Sequence, residues 1–170
     1  NMRKELISWL EVDKLIDHLI PQFHDEFDVI LMIQKGGIIP GGILSEALGI
    51  QDIYLTDIDS PKEFELEKQR SDPRFISWPT IRLFPDNSLI EQKKVLIVGC
   101  AWGTGRCISA VRNRVSGAGG TPFTCVLHYN HRRNLFPEEK PDFYAAITDA
   151  WIIYPWESPK GKNLILSTSV

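Results

Sequence analysis

The sequence predicts an open, mainly parallel α/β sheet flanked by helices, and three observations carry that expectation. Residues 28–33 (DVILMI) and 94–98 (KVLIV) are near-continuous apolar runs of strand length, the pattern of strands covered on both faces. Each run passes into a glycine-containing loop and then into a segment of helical periodicity, and the alternation of strand and helix selects a parallel sheet. With 170 residues the chain forms one domain, large enough to bury about 70% of its unfolded surface.

The elements follow in order. Ser8 and Glu11 have capping-box spacing, and Trp9, Val12, Leu15, Ile16, Leu19 and Ile20 recur at helical intervals until Pro21, giving a surface helix with one buried stripe. The strand at 28–33 ends in Gln34-Lys35-Gly36-Gly37. Pro40 suits the first turn of the next helix, Ile43, Leu44, Ala47 and Leu48 supply its apolar face, and Gly49 is placed to end it. Residues 52–58 read as a strand. The stretch 59–74 is highly charged and holds Pro61 and Pro73, which predicts a mobile loop or lid. After the strand at 94–98 come Gly99-Cys100-Ala101-Trp102-Gly103-Thr104-Gly105 and a helix over about 106–115, with Cys107, Ile108, Val111 and Val115 inward. Gly117, Gly119 and Gly120 stop it, and 122–128 returns as a strand. Short pieces at 144–148 and 151–154 complete the pattern, the second closed by Pro155-Trp156.

Composition narrows the function classes. Nineteen Lys and Arg against 22 Asp and Glu give a net charge of −3, so no broad cationic field for duplex nucleic acid or anionic lipid is expected. The longest aliphatic run, 29–33, is far too short to cross a bilayer. The first residues, Asn1-Met2-Arg3-Lys4-Glu5, contain no apolar signal region, so a cytoplasmic protein is expected. Cys100, Cys107 and Cys125 form no CxxC pair and fit reduced thiols.

In a parallel sheet the loops at the carboxyl ends of the strands share one edge, so 34–37 and 103–105 should both face the ligand crevice. Thr104 and Gly105 open a helix whose free N–H groups suit a phosphate, and glycines let backbone approach anionic oxygens closely. Taken singly, each loop also reads as a plain turn or helix cap. A Cys100–His128 hydrolase is poorly supported, because Val98 and Trp102 stand where a nucleophile elbow needs small residues. A metal site from Cys125, His128 and His131 fails because 125 and 128 point to opposite faces of a strand.

Several strings resemble the type I phosphoribosyltransferases, in particular the xanthine-guanine and 6-oxopurine branch, over nearly the whole chain. Ile33-Gln34-Lys35-Gly36-Gly37-Ile38-Ile39-Pro40 resembles that family's pyrophosphate loop, and Val95-Leu96-Ile97-Val98 runs into the position of its phosphoribosyl diphosphate (PRPP) signature. Pro141-Asp142-Phe143-Tyr144 and Asp149-Ala150-Trp151-Ile152-Ile153-Tyr154-Pro155-Trp156-Glu157 resemble its purine-site end. The resemblance implies Lys35, Gly36 and Gly37 on the pyrophosphate, Gly103, Thr104, Gly105, Arg106 and Cys107 around the 5′-phosphate, and Asn130, Trp151 and Ile152 at the purine. Asn130 falls where a Lys usually contacts the exocyclic oxygen, with Arg132 or Arg133 as substitutes if the loop is shifted. It also implies Mg²⁺ as cofactor, PRPP, a nucleotide or phosphate as ligand, a possible homodimer, and neither nucleic acid nor membrane as partner. One domain over 1–170 is expected, with a core at about 8–130, a hood from about 140–170 that includes the N-terminal residues in one arrangement, and the 59–74 loop as lid, Lys68 and Arg70 serving the pyrophosphate.

The same alignment puts Gly99, Cys100 and Gly103 at the three positions where the family carries acids for the ribose hydroxyls, the metal and the base. Catalysis of phosphoribosyl transfer to a 6-oxopurine is therefore expected to be weak or lost, and the catalytic residues are unassigned. The alternative is a non-catalytic nucleotide- or phosphate-binding regulatory protein on the same fold.

Overall fold

The computed structural model describes residues 3–59 and 78–157. In chain order they form β1 (Lys4–Leu6), α1 (Trp9–Leu19), β2 (Val29–Ile33), α2 (Ile38–Leu48), β3 (Asp52–Asp59), β4 (Thr80–Leu83), β5 (Lys94–Val98), β6 (Ala101–Trp102), α3 (Arg106–Gly117), β7 (Thr121–Tyr129), β8 (Phe143–Ile147) and β9 (Trp151–Ile153). Among them no helix is long and apolar enough to cross a membrane. The loop expected at 59–74 lies outside the described residues from position 60 onward, as does the tail beyond 157.

The main sheet runs β4-β3-β2-β5-β7, with β6 and β8 also paired to β7. All its pairs are parallel except β3 with β4. From β2 the chain moves outward through α2 to β3, then returns to the other side of β2 as β5. The strand order thus reverses between β2 and β5, and in an open α/β sheet the crevice at the carboxyl end of such a reversal is where ligands bind. β6 keeps the register of β5 against β7, Val98 opposing Cys125 and Ala101 opposing His128, so it continues β5 after an interruption at Gly99 and Cys100.

The apolar runs alternate between two cores. Ile30, Leu96, Val98 and Leu127 meet Val12, Ile16 and Leu19 of α1 on one face, while Leu31, Val95 and Ile97 meet Val111 and Val115 of α3 on the other. Period-2 alternation sends neighbouring residues to opposite faces, so strands apolar throughout must be covered twice. α1 begins with the expected capping box: Glu11 N–H donates to Ser8 Oγ at 3.2 Å and Ser8 N–H to Glu11 Oε2 at 2.6 Å. α2 ends at Gly49, whose φ of +66° is the left-handed cap that favours glycine.

β1 and β9 form a separate two-stranded parallel sheet, Lys4 opposing Trp151 and Leu6 opposing Ile153. The third helix extends to Gly117, past the expected end near 115. The tail strands span 143–147 and 151–153 rather than 144–148 and 151–154.

Candidate functional site

The loop after β2 is held from both sides. Gly37 N–H donates to Ile33 O at 2.8 Å and Gln34 N–H to Thr56 O at 2.9 Å, which leaves Lys35 exposed at the tip beside a cis Gln34–Lys35 peptide. A Cβ at Gly37 would lie 2.1 Å from Val98 O, and one at Gly36 would lie 2.5 Å from Cys100 Sγ. The loop after β2 therefore packs directly on the end of β5, and Gly37, whose Cβ would meet backbone, is required by that approach. Asp57, at the end of β3, is committed elsewhere: it accepts from Arg82 Nε at 3.1 Å and pairs with the Arg82 terminal nitrogen, which holds its carboxyl below the usual carboxylate range.

Gly103, Thr104, Gly105 and Arg106 are buried and Cys107 is half-buried. Gly105 has a φ of +87°, and a Cβ there would meet Trp102 Nε1 at 2.5 Å. Thr104 Oγ1 accepts from Arg106 Nε at 3.3 Å, while Thr104 O accepts from Leu135 N–H at 3.0 Å. The segment after β7 is thus folded over this loop. Trp102 Nε1 donates to Asn134 Oδ1 at 3.1 Å, and Glu139 accepts from Ser109 Oγ at 3.2 Å and pairs with Arg112 at 2.8 Å.

A pocket of about 150 Å³ opens beside these loops, its wall including Cys100, Gly103, His128, Asn130, Trp151 and Ile152. A cavity of that order holds one planar ring. Arg133 and Glu157 also line it, and the Arg133 guanidinium stands 4.9 Å over the Trp151 ring. Asn130 is buried, with Nδ2 donating to Ala150 O at 3.4 Å and Oδ1 accepting from Arg133 N–H at 3.3 Å. A second pocket of about 400 Å³ lies behind, lined by Arg3, Glu5, His131, Arg132 and Asp149. His128, Thr148 and Ile152 border both.

His128 sits in that shared wall at 6% exposure. Its Nδ1 is 2.8 Å from the Tyr154 hydroxyl, which donates to Cys100 O at 2.8 Å. Burial pushes the imidazole down to about 4, against the opposing influence of Glu5 and Glu11. Tyr154 is buried and stacked on Trp156, and burial raises its phenol well above the usual range. Glu157 is also raised by desolvation.

The structure therefore brings Cys100, Gly103, Asn130, Trp151 and Ile152 to one pocket and places Gly36 against Cys100. Sequence reasoning missed the Tyr154–His128 pair and the cover formed by 134–139. Arg133 faces the pocket, whereas Arg132 lines the neighbouring one.

No protein-family model and no curated protein matches the sequence. Solved structures do. The chain is similar to a purine phosphoribosyltransferase from Pyrococcus horikoshii, with 25% identity, a TM-score of 0.73 and 95% of this chain aligned to 98% of that one. It is similar to a xanthine-guanine-hypoxanthine phosphoribosyltransferase from Helicobacter pylori at 16% identity, TM-score 0.73, over 99% and 100% of the two chains. A hypothetical protein from Neisseria gonorrhoeae with bound ppGpp aligns at 21% identity, TM-score 0.72, over 93% and 91%. The mostly parallel sheet, the reversal between β2 and β5 and these alignments over nearly full length together give the chain the type I phosphoribosyltransferase fold.

Proposed function

We propose that this is a phosphoribosyltransferase-like protein of the purine type that binds purine nucleotides, and in which transfer of a ribosyl group from PRPP to a 6-oxopurine is weak or lost. The observation that carries this reading is the side-chain chemistry between β5 and α3. Gly99, Cys100 and Gly103 supply no carboxylate, although Cys100 and Gly103 line the pocket. Ribosyl transfer develops positive charge on the sugar and needs preorganised partners for it. A thiol and two glycines do not provide them.

Binding is better provided for. Lys35 stands exposed over Gly36 and Gly37, and would meet a pyrophosphate. Gly103, Thr104, Gly105, Arg106 and Cys107 lead into the N-terminus of α3, whose dipole favours a 5′-phosphate. Trp151 offers a face for a base, with Ile152 and Asn130 at its edge and Arg133 able to meet an exocyclic carbonyl. The loop does not fit a resident Mg²⁺, which takes oxygen ligands, and no cluster of three His, Cys, Asp or Glu suited to a metal occurs among the described residues. Any Mg²⁺ would arrive with the phosphates.

A second reading, a non-catalytic nucleotide- or phosphate-binding regulator, is favoured by the lack of any carboxylate at Gly99, Cys100 and Gly103 beside a pocket that keeps its aromatic and polar lining. The Neisseria gonorrhoeae neighbour, which holds ppGpp, is consistent with it. Both readings are tested by pyrophosphate release from PRPP with guanine, xanthine and hypoxanthine under Mg²⁺, alongside calorimetry of GMP and PRPP with Mg²⁺ and with chelator. GMP should bind equally in both conditions, with turnover far below the enzymatic median of about 10 s⁻¹. Turnover near that median overturns the loss of catalysis, and absence of GMP binding overturns the nucleotide site.

A further inference from the structure

Hydrogen-bond arithmetic fixes the proton on His128. The carbonyl of Cys100 can only accept, so the Tyr154 hydroxyl directs its single proton there, across 2.8 Å. The contact between Tyr154 Oη and His128 Nδ1, also 2.8 Å, must then take its proton from the imidazole. Nδ1 carries the hydrogen, and in the neutral ring Nε2 is left with a bare lone pair. No residue among those described bonds to Nε2, and the ring borders both pockets. Among the side-chain acceptors of the smaller pocket, Asn130 Oδ1 already accepts from Arg133 N–H, Thr148 Oγ1 from Ala150 N–H and one oxygen of Glu157 from Tyr154 N–H.

We propose that His128 is a specificity-determining residue of this pocket, its Nε2 accepting a hydrogen bond from the ring N1–H of a bound oxopurine while Tyr154 holds the tautomer. The inference rests on the nucleotide-binding reading above and adds to it the residue that reads the donor edge of the base. Arg133, a donor on the opposite requirement, meets the carbonyl of the same ring. An acceptor and a donor in the wall of one pocket distinguish a base with adjacent N–H and C=O from one lacking that pair. The ring stays neutral because burial outweighs Glu5 of β1 and Glu11 of α1, the acidic groups that favour its charged form. Arg3, His131, Arg132 and Asp149 face it from the larger pocket, and Arg133 and Glu157 from the smaller.

Two measurements test this. In the free protein, ¹⁵N–¹H two-bond correlation of the His128 ring should show the Nδ1–H tautomer at pH 7. An Nε2–H tautomer overturns the proposal outright. In calorimetry the wild type should prefer GMP over its 1-methyl derivative by about tenfold, the worth of one hydrogen bond. His128→Phe should bind both alike. Tyr154→Phe is the second variant, because Cys100 O keeps its bonds from Leu127 N–H at 3.0 Å and His128 N–H at 3.1 Å, so the backbone there stays satisfied. It should mix the tautomers and shrink the preference without abolishing GMP binding. If GMP binds and the preference survives in His128→Phe, His128 is not the reader and the nucleotide site stands. If GMP does not bind the wild type, both readings fall.

Discussion

Two residues show how far a single side chain can be predicted from its surroundings. Gly105 combines a φ of +87° with Trp102 Nε1 at 2.5 Å from a built Cβ, whereas Gly42, inside α2, would place a Cβ in open space. Gly105→Ala should lower unfolding free energy by at least about 2 kcal/mol, and Gly42→Ala should raise it by about 0.5 to 1 kcal/mol, both read from urea midpoints. His128 makes a pH prediction. Its folded value, about 4, lies below the usual 6.5, so between those limits the unfolded chain binds more protons. Stability from this group is complete above about pH 6.5 and is lost as pH falls toward 4, by roughly 3 kcal/mol at most. Urea melts of wild type and His128→Phe should diverge across that window, the variant showing the shallower decline. Sequence reasoning noticed His128 only as a partner for Cys100 or a metal. Its bond to Tyr154 joins β7 to the end of β9, a contact no local pattern encodes.

The elements were legible in proportion to their burial. β2, β5 and β7 are apolar because both faces are covered, and α1 carries its capping box and stripe openly. β1, β4 and β6 gave no signal: they are two to four residues long, and β1 and β4 are largely exposed, so neither alternation nor an apolar run can develop. The glycine loops were readable because Gly37 answers to the Val98 carbonyl, Gly36 to the Cys100 side chain, and Gly105 to a positive φ against Trp102. The cover at 134–139 was not, since it depends on Asn134 and Glu139 reaching Trp102 and Arg112 through tertiary contact. At this scale the cap of α1 is the simplest test. Ser8→Ala removes the acceptor for Glu11 N–H and should cost about 1 kcal/mol, seen as a lower thermal midpoint with unchanged GMP affinity.

For the whole molecule, the scaffold and the chemistry separate. The sheet that positions two glycine loops at a reversal of strand order is intact, while the three positions between β5 and α3 carry no acid, so the fold alone does not define what is turned over. The small sheet of β1 and β9 bears on a different matter, the order in which the molecule assembles. Its register, Lys4 with Trp151, joins chain segments separated by nearly the entire described sequence, and the entropy of closing such a span is met only after the main sheet exists. Three exposed residues of β1 contribute little to hold it closed. Trp151 and Ile152, the lip of the pocket, ride on the strand that this closure secures. Local opening there would take Trp151 and Ile152 out of the pocket wall while leaving the central sheet folded, so the integrity of the pocket depends on a seam that closes apart from the core.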